Sequence, residues 1–189
     1  MADSIILFPS KSHIANKVGT VVTFNATNKT LVSSNTGTIA FTDFADGDII
    51  VVTGSTSNNA TFTVTGTPTA TTLTVLDTVA TESAGASVTV DHQGAYSAKQ
   101  KADGYYGYTD GLHTSAYHLN AYIGTVKIQA SLASTPTKDD WFDVDATTAT
   151  YASAETSNKG YNYTGNFVWI RAALTGMTAG SVTKVLYNY

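Results

Sequence analysis

The chain has 189 residues, 42% of them hydrophobic, and a formal net charge of −4. That apolar content supports a buried core and excludes wholesale disorder, while ten scattered basic residues exclude the clustered Lys and Arg that phosphate binding needs. No apolar run approaches the roughly 20 residues of a membrane span, and the absence of cysteine excludes disulfide staples and thiolate metal sites.

Only 13% of residues are charged, about half of the usual share. The surface polarity therefore has to come from Thr, Ser, Asn and Tyr, as suits a chain whose faces are partly covered by neighbours. Residues 1–18 open with Ile5-Ile6-Leu7-Phe8, stopped by Pro9. This tetrad reads as an N-terminal arm or a first strand. With no positive lead and no small-residue cleavage site it is a poor signal peptide.

Residues 19–91 alternate short β-type runs with turn residues. The expected strands are Val21–Ala26, Thr30–Ser33, Ile39–Phe41, Ile49–Thr53, Ala60–Thr65, Thr72–Leu76 and Ser87–Val90. Between them stand Asn28-Lys29, Asp46-Gly47-Asp48, Ser57-Asn58-Asn59 and Pro68, residues that tolerate or impose the backbone of tight turns. β-Branched residues suit a pleated half-buried surface, and strands spaced by roughly ten residues predict a small β-barrel or sandwich module.

Residues 92–122 change character: Tyr96, Tyr105, Tyr106, Tyr108, Tyr117 and Tyr122 crowd among glycines. This stretch reads as a Tyr/Gly-rich connection or as the opening strands of a second domain, with separation of the domains expected near Asp91–Tyr105. From 123 to 189 a second β domain follows, to which 92–122 and the arm are the natural additions. Val126, Ile128, Ala130 and Leu132 share one strand face and Lys127, Gln129 and Ser131 the other, as period-two geometry requires. Short strands are expected around Asp140–Val144 and Tyr161–Gly165. Asn166–Leu174 reads as a central strand, Gly176 and Gly180 as flanks of a turn, and Ser181–Tyr187 as a last strand. Tyr151–Ser157 is the best helix candidate and is too short and poorly amphipathic. The expected fold class is all-β.

Two stretches resemble modules of tailed-bacteriophage virion proteins. Gly47-Asp48-Ile49-Ile50-Val51-Val52-Thr53-Gly54-Ser55, with Asn58–Val64 and Thr81-Glu82-Ser83-Ala84-Gly85, is similar to a small β module of phage structural proteins. Gly124–Leu132, with Asp140-Trp141-Phe142-Asp143-Val144 and Asn166–Ala172, resembles the jelly-roll-like β-sandwich of head-decoration and tail-associated proteins. The resemblance implies a structural protein located on the virion, without catalytic residues.

The chemistry-bearing residues lead the same way. Asp139, Asp140, Asp143 and Asp145 are the densest acidic cluster, yet the glycine turn and terminal glutamate of a calcium loop are missing. His113 and His118 are five apart and fall on opposite strand faces, so they form no metal pair. Ser, His and acid are present without a Gly-x-Ser-x-Gly elbow. No catalytic residue, cofactor or metal is expected, and the chain is read as a non-enzyme. Arg171, the single arginine, shares a strand face with Phe167 and Trp169, where a guanidinium stacks on a ring or pairs with a carboxylate such as Asp143.

The expected interface residues are Ile5, Ile6, Leu7, Phe8, Tyr105, Tyr106, Tyr108 and Arg171. The foremost functional expectation is a capsid decoration or cement protein on the outer head surface. Its partners would be copies of itself as a homotrimer and the major capsid protein or another virion protein, with no nucleic acid and no membrane. The alternative is a tail or baseplate accessory protein in contact with a host glycan, the tyrosines serving as a sugar-stacking platform.

Overall fold

The structure, a computed structural model, describes residues 4–108 and 111–189. The chain is all-β, with 54% of it in strands and 5% in helix. It divides into two compact units, one made of residues 1–13 and 96–189 and the other of residues 14–95.

Strands β1 (Ile5–Phe8) and β2 (Lys11–Ser12) begin the first unit. The chain then builds the second unit from β3 (Lys17–Gly19), β4 (Val22–Asn25), β5 (Thr30–Ser33), β6 (Asp48–Thr53), β7 (Thr61–Thr63), β8 (Thr72–Thr74) and β9 (Val88–Tyr96). Within it, antiparallel pairing runs β3-β9-β6-β7 in one sheet and β4-β5-β8 in the other, and a Val64↔Val75 bridge links the two. Val22, Phe24, Leu31, Ile50, Val52, Phe62, Leu73, Val88 and Val90 alternate inward and fill the space between the sheets. Ile39 and Phe41, expected as a strand, are buried from a loop instead. The small barrel or sandwich expected over 19–91 therefore exists and spans residues 14–95, including all of β9 but its last residue.

The chain returns to the first unit with β10 (Gln100–Lys101), the single helical turn α1 (Asp103–Tyr106), and β11 (Leu112–Ser131). β12 (Phe142–Asp143), β13 (Ala149–Glu155), β14 (Asn158–Thr164) and β15 (Trp169–Asn188) complete it. Two 20-residue strands, β11 and β15, form its axis and pair antiparallel along their length. β12, β13 and β14 line the free edge of β11, while β1, β2 and β10 line that of β15.

The first module is an insertion in the sequence of the other unit, which joins residues 1–13 to 96–189. Of the two readings of 92–122, strands hold: β9, β10, α1 and half of β11 lie there. Gly176 and Gly180 flank no reversal, because β15 runs straight through them with a shift of register. At Gly180 (φ 71°) a Cβ would sit 2.0 Å from the Ala121 carbonyl oxygen, so the chain bends closely against Ala121, itself at φ 48°. This irregularity flips the inward parity of β11 from 113, 115, 117, 119 to 122, 126, 128, 130 and so keeps one face buried throughout.

A candidate binding surface

The first unit has hydrogen-bonded phenols inside and a cluster of aromatic rings outside. Its interior holds Tyr117, Tyr122, Tyr163, Tyr187 and His113, all buried, and each phenol is given a partner. Tyr117 donates to the Thr147 carbonyl (2.8 Å) and Tyr122 to the Thr125 carbonyl (3.0 Å), while Tyr163 bonds the Ser115 hydroxyl (2.9 Å). Burial pushes the pKa of all four tyrosines upward, because an anion there would lose its water.

His113 is the hub. Its Nε2 lies 2.7 Å from the Gly165 carbonyl oxygen, which can only accept, so Nε2 carries a proton. In the neutral ring Nδ1 then accepts from the Tyr187 hydroxyl at 2.9 Å. Asp103 Oδ1 stands 3.4 Å from Nε2 and accepts the backbone N–H groups of Gly104 (2.8 Å) and Phe167 (3.2 Å). Asp103 is the first residue of α1, and the hub thereby ties α1 to the ends of β11, β14 and β15.

That anchorage places a ledge of rings on the surface. Tyr105 meets Trp169 edge-on at 5.1 Å and Tyr106 at 5.3 Å. Tyr106 stacks on Tyr189 (6.1 Å, 6° between planes) and on Tyr108 (5.9 Å), and Tyr189 stacks on the buried Tyr187 (5.4 Å). Tyr106 and Tyr108 remain 50% and 57% exposed. Two ammonium groups lie on the rings: Lys99 Nζ is 4.5 Å from the Trp169 ring centre and Lys101 Nζ 4.1 Å from that of Tyr105. The Trp169 indole N–H donates to the Ser134 carbonyl at 3.2 Å.

Arg171 lies on the same strand as Trp169, two residues on. Its guanidinium is sandwiched between the rings of Tyr96 (3.9 Å) and Trp141 (4.3 Å), and its Nε donates to Gln129 Oε1 at 2.9 Å. Gln129 in turn donates to Asp143 (2.8 Å), whose other oxygen takes Lys127 (2.6 Å). Burial lowers the Arg171 pKa to about 10, which leaves it charged at neutral pH. Ring stacking thus holds this residue, and Gln129 stands between it and the carboxylate proposed for it.

The tetrad requires a correction. β1 pairs with β15 (Ile5↔Tyr187, Ile6↔Leu186), and Leu7 and Phe8 are buried in the chain's own core. They are a first strand, not an arm, and of the four only Ile6 is well exposed, at 54%. Trp169 is half-buried under Lys99 and Tyr105. The acidic cluster disperses: Asp140 caps the 3-10 turn at Lys138–Asp140 through Thr137, and Asp143 pairs with Lys127. Among the described residues no group of three or more His, Cys, Asp or Glu side chains has metal-binding geometry. His113 faces inward and His118 outward, as their spacing requires.

Lys99, Lys101 and Tyr189 belong to the ledge and were not among the expected interface residues. Lys99 and Lys101 stand one residue apart in the sequence, beside the tyrosine-rich stretch. Nothing in a linear pattern shows that Tyr189 stacks on Tyr106, because that contact joins α1 to the far end of β15. Comparison with family models, with curated proteins and with solved structures finds no match for this chain.

Proposed function

We propose that this chain is a non-enzymatic structural protein of a tailed-phage particle, foremost a head-decoration protein, that assembles with its own copies through the aromatic ledge. The observation that carries the assembly role is the run of ring contacts from Trp169 to Tyr189 with Tyr105, Tyr106 and Tyr108 exposed. Isolated exposed rings are ordinary on a soluble protein, whereas contiguous ones mark interaction surfaces, and Tyr and Trp are the residues that interfaces favour. The particle setting is supported by the resemblance of the 47–64 and 124–132 stretches to virion modules. The low share of charged residues suits a surface covered in an assembly.

The tail or baseplate reading, with a host glycan on the rings, is favoured by the hydroxyl-bearing flat rings themselves. It is weakened by their arrangement. Lys99 covers the Trp169 ring and Tyr106 has Tyr108 and Tyr189 beside it, so hydroxyls, ring edges and ammonium groups dominate what solvent meets.

Cryo-electron microscopy of purified particles tests the proposal. Density for this chain on the outer head surface is the expected result, and a Tyr106→Ser/Tyr108→Ser chain should fold and fail to decorate. Density confined to the tail would replace head decoration by the accessory reading. Absence from particles would end both.

A further inference from the structure

The ledge has a counterpart on the same molecule. The segment between β11 and β13 exposes Leu132 (63%) and Phe142 (43%), together with Asp139, Asp140 and Asp145 and the single cation Lys138. Asp140 is engaged at the Thr137 cap, while Asp139 and Asp145 project from exposed positions. The ledge therefore carries apolar rings with two cations, and this acidic segment carries apolar side chains with two exposed carboxylates. Both border Trp169: Tyr105 packs on its ring and Ser134 accepts its indole N–H. Two complementary patches side by side around one residue are what a two-fold self-contact requires. Each copy then offers its ledge to the other's acidic segment, and residue i meets j as j meets i.

We infer that the occupant of the ledge is a second copy of this chain, with Lys99 and Lys101 of each copy facing Asp139 and Asp145 of the other and Leu132 and Phe142 against the exposed tyrosines. The inference deepens the proposed self-assembly and gives it two-fold form, in place of the trimer expected from sequence. It rests on that self-assembly and is independent of where on a particle the chain sits.

Light scattering coupled to size exclusion, on the purified full chain, reads it directly. The expected species is a dimer that dissociates more readily as added salt screens the exposed charges. Lys99→Glu/Lys101→Glu should weaken dimerisation about tenfold, and Asp139→Lys/Asp145→Lys equally, since like charges then face each other. An equimolar mixture of the two variants should recover a heterodimer to within about threefold of the native affinity, as complementary swaps restore the pairs. Unchanged melting of both variants separates lost contact from lost fold, and Tyr106→Ser tests the ring half of the contact without touching a charge. A chain that is monomeric throughout overturns the inference. So does an oligomer indifferent to either swap, a mixture that fails to associate, or a mass of three copies.

Discussion

The inserted module and the sandwich that receives it solve the same packing problem with different chemistry. Between its sheets the module packs Val, Ile, Leu and Phe, with Leu31, Ile39, Phe41, Ile50 and Leu73 at 0% exposure. The sandwich sets four buried tyrosines, Tyr117, Tyr122, Tyr163 and Tyr187, among aliphatic residues such as Ile128, Ile170 and Leu174, and relies on each hydroxyl finding a partner. Each unit also buries one histidine near one aspartate. In the module, His92 accepts the Ile14 N–H through Nδ1 at 3.3 Å and sits edge-on to Phe44. In the sandwich, His113 lies among Tyr163, Phe167 and Tyr187 and holds α1 in place. The difference teaches how each unit should fail. An apolar core fails when volume is removed, because neighbours relax only partly into the gap. A hydroxylated core fails when a partner is removed, because a buried donor or acceptor is left without water.

The largest effect is expected at the centre of the module. Phe41→Ala should cost roughly 3–5 kcal/mol by opening a cavity in a fully buried site. Hydrogen exchange should show the lost protection confined to amides of residues 14–95. Spread of the loss through β11 and β15 would mean that the two cores are not separate.

Replacing the hub by an isosteric apolar group comes next. His113→Leu strands the Tyr187 hydroxyl and the Gly165 carbonyl, and each buried orphan costs about 1–3 kcal/mol. The same substitution should loosen α1 and raise the tyrosine fluorescence change on adding an aqueous quencher. A melting point equal to the native one would show that the interior tyrosines are satisfied without the hub.

Trp169→Ala should cost less, about 1–2 kcal/mol, as a half-buried side chain forfeits about half the gain of full burial. Chemical denaturation measures it. A loss as large as that of Phe41→Ala would place Trp169 in the core.

The smallest effect is a pH dependence within the module. Glu82 takes the Ser55 hydroxyl (2.6 Å), the Thr56 and Ser57 N–H groups and the Asn58 amide, and the Ser55 bond foremost lowers its pKa from 4.5 to about 2. The folded carboxyl is the stronger acid, so its stabilisation is complete above pH 4.5 and is lost as pH falls towards 2. Glu82→Gln should flatten the acid limb of the stability profile in that window. An identical acid limb in the two proteins would show that the loop of residues 55–59 holds itself without this carboxylate.

Much of the fold was legible because strands announce themselves locally. The Asn28-Lys29 turn is where β4 reverses into β5, with Lys29 at φ 52°, and Thr30–Ser33 is a strand in sequence and in structure. The alternation of Val126, Ile128 and Ala130 named the buried face of β11 correctly. The rings that hold Arg171 were not legible, since its parity with Trp169 is local and the guanidinium stacks instead on Tyr96 and Trp141, which lie elsewhere in the chain. Leu132 shows the limit of the same rule: period two put it inside, but the strand has ended and it is the most exposed large apolar residue described.

What the sequence by itself determined is therefore the class of structure, most strand positions and the inward face of each strand, all set by period-two geometry over a few residues. Only the tertiary structure decided that the module is an insertion, since that depends on β1 and β2 pairing with β15 across the whole length of the chain. It likewise decided that Leu7 and Phe8 are core and that Tyr105, Tyr106, Tyr108, Trp169 and Tyr189 make one surface. Those facts rest on contacts between residues as distant in sequence as Ile5 and Tyr187, about which local periodicity carries no information.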